Sequence, residues 1–181
     1  AERIASLCLD FPGVMEARVL VEKPSALRFA RNVGVEITRK ASDVKAVQAF
    51  VALGSNINPL ENIPQALELL EKRMSVIQAS TFYETEPLGN RGDPPFVNGL
   101  IEIGTKLSPE SLKHFVLRPI EEMLGRKRSA DRNAPRTIDL DLTLYGDLVV
   151  KQDDLIVPDP QIIERNFLAI PLAELAPELI P

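Results

Sequence analysis

The sequence predicts an α+β fold in which an antiparallel sheet carries two helices on one face. Two patterns support it: short alternating or continuous apolar stretches typical of strands, and two longer segments with apolar residues at helical spacing. A third observation is the order of these strands and helices along most of the chain, β-α-β-β-α-β. At 181 residues, 45% of them apolar and 26% charged, the chain can bury one good core with a smaller piece beside it.

The first forty residues predict a helix followed by two strands. Residues 3–10 have helical spacing, whereas residues 14–22 and 33–39 alternate and are separated by a turn at Lys23-Pro24-Ser25. A piece of this size cannot close a core alone. Residues 41–47 show no strong pattern, so we expect a separate segment at 1–40, a linker at 41–47 and the main domain at 48–181.

The main domain is predicted to open with a buried strand at 49–53, which Gly54-Ser55-Asn56 ends. Asn58 and Pro59 then predict the start of a helix, with Asn58 as its cap and Pro59 at its first position. One face of that helix is apolar at helical spacing. Its residues are Ile63, Ala66, Leu67, Leu70 and Met74.

Two further strands are predicted near 76–84 and 96–103, followed by a second helix that starts at Ser108-Pro109 and kinks at Pro119. Residues 137–145 form the last strand, since Ile138, Leu140, Leu142 and Leu144 alternate and predict one buried face. This order is the ferredoxin-like arrangement. We expect strand-like residues 155–160 and a helix over 161–176 to pack against the sheet as a late addition.

Asp139 and Asp141 stand two positions apart on the last strand, so they emerge on the same face about 7 Å apart. Magnesium takes one or two carboxylates together with substrate phosphates, which makes the pair a candidate metal site. The alternative is a solvated polar face of an amphipathic strand. Taken alone, that alternative is the more frequent origin of such a pattern.

The loop before that strand is basic, with five cationic residues and one acid between 125 and 136. They are Arg126, Lys127, Arg128, Arg132 and Arg136. Guanidinium groups match phosphate oxygens, so a nucleotide site competes here with a solvated loop and with a weak nucleic-acid patch. Adjacency to the acidic pair favours the nucleotide site. Neither common glycine-rich phosphate cradle occurs, so side chains and metal would hold ATP.

Charge and hydropathy exclude other classes of protein. A net charge of −5 argues against a broad surface for nucleic acid, and no apolar run approaches the roughly 18 residues of a membrane span. The first residues lack the pattern of a signal peptide. We expect a cytoplasmic protein that binds small molecules, not nucleic acid or membranes.

Six motifs resemble, in order, those of the 6-hydroxymethyl-7,8-dihydropterin pyrophosphokinase family, which belongs to folate biosynthesis. They are Leu-Gly-Ser-Asn at 53–56, Phe-Tyr-Glu-Thr-Glu-Pro-Leu-Gly at 82–89, Phe-Val-Asn at 96–98, Leu-Gly-Arg at 124–126, Pro-Arg-Thr-Ile-Asp-Leu-Asp at 135–141 and Glu-Arg-Asn-Phe at 164–167. The resemblance covers residues 48–181. It implies a ferredoxin-like fold and transfer of a diphosphoryl group from ATP to a pterin alcohol.

The resemblance also implies a role for individual residues. Asp139 and Asp141 would bind two magnesium ions, and the pterin would stack between Phe96 and Phe167. The implied ATP-binding residues are Glu121, Arg126, Arg136, Leu142, Ile156 and Arg165, with Arg126 and Arg136 also catalytic. The implied pterin-binding residues are Thr85, Pro87, Leu88, Phe96, Asn98 and Phe167.

Three residues depart from the family's pattern. Asp159 stands where the family often has a histidine that contacts phosphate, Asn133 where a loop tryptophan can cover the pterin, and Glu86 in place of a common proline. An acid near polyphosphate is repelled unless metal or arginine offsets it, so Asp159 is left out of the predicted site. A pterin- and nucleotide-binding protein without catalysis is therefore the second hypothesis.

The first forty residues resemble the C-terminal end of dihydroneopterin aldolase, which has the tunnelling fold. Gly-Val-Met-Glu-Ala-Arg-Val at 13–19, Val-Glu-Lys-Pro-Ser-Ala at 21–26 and Val-Gly-Val-Glu at 33–36 carry this resemblance. Lys23 would match that family's catalytic lysine. We expect a fragment of a bifunctional protein, without aldolase activity of its own, whose aldolase part could form a homo-oligomer.

Overall fold

A computed structural model describes residues 1–11, 13–24, 32–87, 92–127, 131, 134–152 and 154–179. The chain divides into two compact units, the first of residues 1–46 with 106–111 and the second of residues 47–105 with 112–181. Within the described part of the chain, none of the helices combines the length and apolar character that crossing a membrane requires.

The first unit contains helix α1 (Glu2–Leu9) and the antiparallel strands β1 (Glu16–Pro24) and β2 (Asn32–Lys40), followed by a 3-10 turn at Ala41–Asp43. The predicted order of helix, strand and strand is confirmed. Ala5, Ala17 and Val19 form its small core.

The second unit is built on an antiparallel sheet of strand order β4-β6-β3-β7, to which a short strand, β5, adds at β6. The predicted ferredoxin-like order is confirmed. Its strands are β3 (Val47–Ser55), β4 (Ser75–Ala79), β5 (Tyr83–Thr85), β6 (Phe96–Thr105) and β7 (Asp139–Tyr145). Its first helix is α2 (Pro59–Glu71). The second helical segment is continuous and consists of α3 (Pro109–Leu112), a π turn (Lys113–Leu117) and α4 (Arg118–Met123). Residues 109–111 of this segment belong to the first unit.

The chain then continues through a hairpin, a 3-10 turn and a final helix. These are β8 (Val150–Gln152), β9 (Leu155–Val157), the turn Pro160–Ile163 and α5 (Asn166–Leu175), before a last 3-10 turn at Pro177–Leu179. Helix α5 packs on the sheet through Leu168 and Leu172, which cluster with Phe50 and Leu100. We call this side of the sheet the α5 face.

The opposite face of the sheet carries helix α2. Successive side chains of a strand alternate between faces, so Ala49 and Val51, on either side of Phe50, point away from α5. Both are fully buried, and α2 contacts this strand. Helices therefore cover both faces of the sheet. Helix α5, which belongs to the segment predicted to pack on the sheet as a late addition, covers the face opposite α2.

At the start of α2, the predicted side-chain cap by Asn58 is wrong. Asn58 does not cap the helix with its side chain, because it adopts a left-handed conformation with φ of 46°. A side-chain cap requires extended backbone at that position. The backbone N–H groups of Glu61 and Asn62 instead donate to the Asn58 carbonyl. Pro59 is the first helical residue, as predicted.

In strand β7, the prediction that the alternating apolar residues share one buried face is wrong for Leu144. Leu140 pairs with Leu53 and Leu142 with Val51, but the next cross-strand pair joins Leu144 to Phe50, which leaves Thr143 as an extra residue. A bulge of this kind reverses the alternation of side chains. Leu144 accordingly packs against the α5 cluster, so the four alternating residues do not share one face.

Candidate active site

A cavity of about 410 Å³ opens on the α5 face, where β3 ends and β6 and β7 begin. Cross-strand pairing creates it: Gly54 lies opposite Asn98 on one side and Asp139 on the other. Side chains from three strands therefore converge. Of the residues that the sequence predicts for the site, eight line this cavity: Thr85, Phe96, Asn98, Arg136, Asp139, Asp141, Arg165 and Phe167.

Gly54 leaves room for the Asn98 side chain at the centre of this row. A Cβ atom added at Gly54 would lie 2.7 Å from Asn98 Oδ1, closer than Cβ atoms approach other atoms in proteins. The Asn98 Nδ2 group donates to Thr85 Oγ1 at 2.7 Å. The close approach across β3 and this hydrogen bond together hold the amide, which offers both donor and acceptor groups to a ligand.

Two arginines meet at Asp139. Arg126 NH1 lies 2.7 Å from Asp139 Oδ1 and also donates to the Ile138 carbonyl at 2.7 Å. Arg136 NH1 pairs with the other oxygen, Oδ2, while its Nε donates to the Ala134 carbonyl at 3.2 Å. Both arginine side chains are mostly buried. Each carboxylate oxygen of Asp139 therefore accepts from a different guanidinium group.

Glu121 supports this arrangement from within the fold. Its side chain is almost fully buried, and its Oε1 accepts the N–H of Leu140 at 3.0 Å and lies 3.8 Å from Arg126 Nε. It thus connects β7 to Arg126. Neither Glu121 nor Arg126 is among the residues that line the cavity, although the sequence predicts both as ATP-binding.

Asp141 lines the cavity, and its side chain is accessible to water although protein atoms surround the carboxyl group closely. Surrounding protein atoms raise its pKa, and together with the negative charges of Asp139 and Glu121 they bring it to about 7; the positive charge of Arg126 opposes this rise, and the negative charge of Asp159 adds a smaller increase. Negative charge is therefore incompletely neutralised around Asp141, and a cation there would relieve it.

The donor set fits magnesium held jointly with a polyphosphate. Within the described ranges, no cluster of three or more histidine, cysteine or acidic side chains could hold a metal ion. Magnesium does not need one, since one or two carboxylates and phosphate oxygens suffice. Asp139 and Asp141, two positions apart on β7 and both lining the cavity, could supply those carboxylates.

A residue with an unsatisfied hydrogen-bond donor also lines this site. Arg165 lines the cavity immediately before α5, and its Nε atom is buried without a hydrogen-bond partner among the residues that the structure describes. A buried polar group without a partner costs about 1–3 kcal/mol, which an anionic oxygen would recover. Arg136, which lines the same cavity, lies over the ring of Phe96, 5.4 Å from its centre, so a guanidinium group adjoins an aromatic ring.

A second cavity of about 270 Å³ adjoins the first and shares Asp141, Asp159 and Gln161 with it. Leu142 and Ile156, which the resemblance places beside adenine, line this second cavity. The predicted nucleotide residues are thus divided between the two cavities, and Asp141 lies where the cavities meet.

Asp159 is not among the predicted site residues, yet it lines both cavities. Its Oδ1 accepts the N–H of Gln161 at 2.8 Å, which caps the 3-10 turn and holds the carboxyl group in place. Its position in the family's pattern was the signal that could have included it. Glu86 also lines the first cavity, whereas Pro87 does not. Leu88, Arg128, Arg132 and Asn133 lie outside the described residues.

Paired carboxylates, convergent arginines and an aromatic residue on a ferredoxin-like sheet are features typical of the class of enzymes that transfer phosphoryl groups. Residues 50–177 match the model of the 7,8-dihydro-6-hydroxymethylpterin-pyrophosphokinase family. The chain belongs to this family, and the resemblance that its motifs predict is confirmed.

Individual relatives agree with the family match. A "2-amino-4-hydroxy-6-hydroxymethyldihydropteridine pyrophosphokinase" of Haemophilus influenzae is 36% identical over 137 residues, which cover 74% of this chain and 84% of that protein. The "Folic acid synthesis protein fol1" of Pneumocystis carinii is 36% identical over 178 residues, covering 90% of this chain but 24% of the relative. FOL1 of Dictyostelium discoideum is 31% identical over 205 residues, covering 99% and 31%. The chain thus spans a quarter to a third of the length of these two relatives.

Proposed function

We propose that this chain transfers a diphosphoryl group from ATP to 6-hydroxymethyl-7,8-dihydropterin, which yields the pterin diphosphate and AMP. One observation carries the proposal: a single cavity joins the acidic pair and Arg136 and Arg165 to the aromatic residues Phe96 and Phe167. A polyphosphate and a flat heterocycle can therefore be bound side by side. The family match supports the same reaction.

In the proposed reaction, the pterin lies against Phe96 and Phe167, and Asn98 addresses its hydrogen-bonding edge. The hydroxymethyl oxygen forms a bond to the β-phosphorus of ATP while the bond from that phosphorus to the α,β-bridging oxygen breaks. AMP leaves, and the hydroxyl proton passes to solvent. The protein contributes mainly alignment of the two substrates and stabilisation of charge.

The arginines change partners in this scheme. Arg126 and Arg136 both pair with Asp139 in the structure, and phosphate oxygens would compete for the same guanidinium groups. Exchange of Arg136 from Asp139 to a phosphate would expose an oxygen of Asp139 to a cation. Two magnesium ions at Asp139 and Asp141, when bound, would offset the charge of the phosphates.

The test is AMP release from Mg-ATP in the presence of hydroxymethyldihydropterin. We expect Asp141→Asn to lower kcat at least about 100-fold, because the group removed acts on the charge of the transferring phosphates. Asp43→Asn, the same change at an exposed residue of the first unit, serves as the control and should retain full activity. Turnover of Asp141→Asn at the native rate contradicts the metal-binding role.

A binding protein without catalysis is a second candidate, and the position of Asp159 in both cavities favours it. A carboxylate beside the polyphosphate would weaken ATP binding unless a cation offsets it. Calorimetry that shows tight binding of both ligands, with no AMP formed, would support this candidate. Asp159→Asn would then bind ATP more tightly than the native chain.

We propose further that the chain is part of a longer, bifunctional protein in which a dihydroneopterin aldolase domain includes residues 1–40. The greater length of the fol1 relatives supports this, as does the alignment with the Dictyostelium relative, which covers nearly all of the first unit. The coding sequence upstream of Ala1 provides the test, because it should encode the rest of that domain. Size measurement of the longer protein tests whether it forms a homo-oligomer.

A further inference from the structure

Asn56 follows the central strand β3 and is the last residue of the Leu-Gly-Ser-Asn motif, to which the proposed reaction assigns no role. It is only 4% exposed. Its Oδ1 accepts the backbone N–H of Arg136 at 2.7 Å, and its Nδ2 donates to the Pro94 carbonyl at 3.2 Å. One buried amide therefore contacts two segments of backbone that are far apart in sequence.

These two segments lead into the two halves of the site. Pro94 lies two residues before Phe96 at the start of β6, the strand that carries the pterin-facing Asn98. Arg136 lies three residues before Asp139 at the start of β7, the strand that carries the acidic pair. The backbone N–H groups of Asn56 and Ile57 both donate to the Arg136 carbonyl at 3.2 Å. Both the N–H and the carbonyl of Arg136 are therefore hydrogen-bonded to this loop.

We propose that Asn56 is a positioning residue that sets the distance between the pterin half and the phosphate half of the active site. The proposal rests on the proposed function, since it concerns the alignment of the hydroxymethyl oxygen with the β-phosphorus. Asn56 touches neither substrate in this scheme. It acts through Arg136, whose guanidinium group lies over Phe96 and pairs with Asp139.

Only a carboxamide of this length meets both requirements. The Arg136 N–H needs an acceptor and the Pro94 carbonyl needs a donor, and the asparagine amide supplies one of each. Aspartate at this position would keep the acceptor but direct a carboxylate oxygen at the Pro94 carbonyl. Alanine would leave both backbone groups without their partner. Asn56→Asp therefore removes the contact with Pro94 and keeps the contact with Arg136, so it tests the two contacts separately.

Asn62 offers a matched control. It lies in α2, and its Nδ2 donates to the carbonyl of Ile57, which is adjacent to Asn56, at 2.7 Å. Asn62→Asp therefore removes an amide donor from the same loop without a direct contact to Arg136 or Pro94. Any general effect of loosening this loop should appear in both variants, whereas loss of alignment should appear in Asn56→Asp alone.

The first measurement separates binding from turnover. Misplacement of reacting groups by about 1 Å can cost about 100-fold in rate, so we expect kcat of Asn56→Asp to fall about 10- to 100-fold. The Kd of the pterin alone and of ATP alone should change less than about 3-fold, since each half of the site remains built. Asn62→Asp should retain the native kcat. A native kcat in Asn56→Asp, or a loss that only follows reduced thermal stability, overturns the proposal.

The second measurement does not depend on activity. Amide hydrogen exchange in residues 92–98 and in residues 134–140 should accelerate together in Asn56→Ala and remain unchanged in Asn62→Ala. If the native chain forms no AMP, the proposed reaction fails, and exchange still decides the role of Asn56. Joint acceleration supports the connection between the two segments, and unchanged exchange in either segment contradicts it.

Discussion

At the scale of single residues, the site depends on how charge is distributed around Asp139 and Asp141. Asp139 accepts from two arginines, whereas Asp141, two positions further along the same strand, has its pKa raised to about 7 by the protein atoms around its carboxyl group and by neighbouring carboxylates. The sequence shows two equivalent aspartates. Their difference arises from contacts with Arg126 and Glu121, which join β7 only in the folded chain.

This difference predicts a pH dependence of stability in the absence of divalent cations. The folded chain holds the Asp141 proton more tightly than the unfolded chain, where the carboxyl has its ordinary pKa of 3.8. Stability from this group is complete below about pH 4 and is lost as pH rises through about 7. The Tm of the native chain minus that of Asp141→Asn should therefore decrease from about pH 5 to about pH 8.

The control for this comparison is Asp43→Asn, whose Tm should differ from that of the native chain by a similar amount at each pH. Magnesium with ATP favours the ionised form of Asp141, so its addition should reduce the decrease. A difference in Tm that does not change with pH would show that Asp141 titrates normally in the folded chain.

A second prediction concerns Gly54, where an added Cβ atom would lie 2.7 Å from Asn98 Oδ1. Gly54→Ala should displace the Asn98 amide and weaken pterin binding, with a loss of stability of about 1–3 kcal/mol from overpacking. Gly104→Ala is the matched control. There, the added atom would meet Ile77 and Ser75 at 3.8 and 3.9 Å, ordinary contact distances.

Calorimetry with the pterin and urea unfolding of both glycine variants provide the measurements. Gly104→Ala should bind the pterin with native affinity, and its stability should be unchanged or slightly higher, since alanine restricts the unfolded chain. Native pterin affinity in Gly54→Ala would mean that Asn98 does not need this space.

At the scale of elements, the sequence predicts the strands and helices well where a period continues over many residues. Ile63, Ala66 and Leu70 are buried on one face of α2, as their spacing predicts. The prediction fails where the outcome depends on pairing with another strand. Leu144 continues the alternation of Leu140 and Leu142, but the bulge at Thr143 turns it to the other face.

The candidate site shows the same division. Motifs identify Asn98, Arg136, Asp139 and Phe167, all of which line the first cavity. Sequence does not reveal that Glu121 lies behind the strand, nor that Asp159 lies where the two cavities meet. Both results depend on how separate elements pack, which local patterns do not encode.

Helix α5 connects core packing to the site, and this predicts the effect of Leu172→Ala. Leu172 is 2% exposed and packs with Phe50 and Leu100. Its truncation should cost about 2–5 kcal/mol, the usual range for a buried leucine. Because α5 also carries Phe167 at its first turn, pterin affinity should fall as well.

The control is Ile170→Ala in the same helix. Because Ile170 is 48% exposed, its truncation should lower the free energy of unfolding by well under half as much as Leu172→Ala does. Urea unfolding measures stability, and calorimetry measures pterin affinity at a temperature where both variants are folded. Equal losses of stability in the two variants would contradict the assignment of Leu172 to the core beneath the site.

At the scale of the whole molecule, the two units differ in what they bury. The second unit has a core on both faces of its sheet, and both cavities described above lie in it. Within the described residues of the first unit, β1 and β2 pair with each other and with no further strand, and Leu20 and Val35 are 57% and 59% exposed. Sequence patterns predict this contrast, because an αββ segment has too few elements to enclose more than a small core.

The contrast predicts that this chain does not act as an aldolase, although the sequence resemblance would match Lys23 to that family's catalytic lysine. Lys23 is exposed in β1. A catalytic amine is usually enclosed by the fold, and the described part of the first unit does not enclose Lys23. We therefore expect no glycolaldehyde from dihydroneopterin, and we expect Lys23→Ala to form AMP at the native rate. Glycolaldehyde formation that Lys23→Ala abolishes would show that the first unit assembles an aldolase site, for example between copies of the chain, and would contradict the prediction.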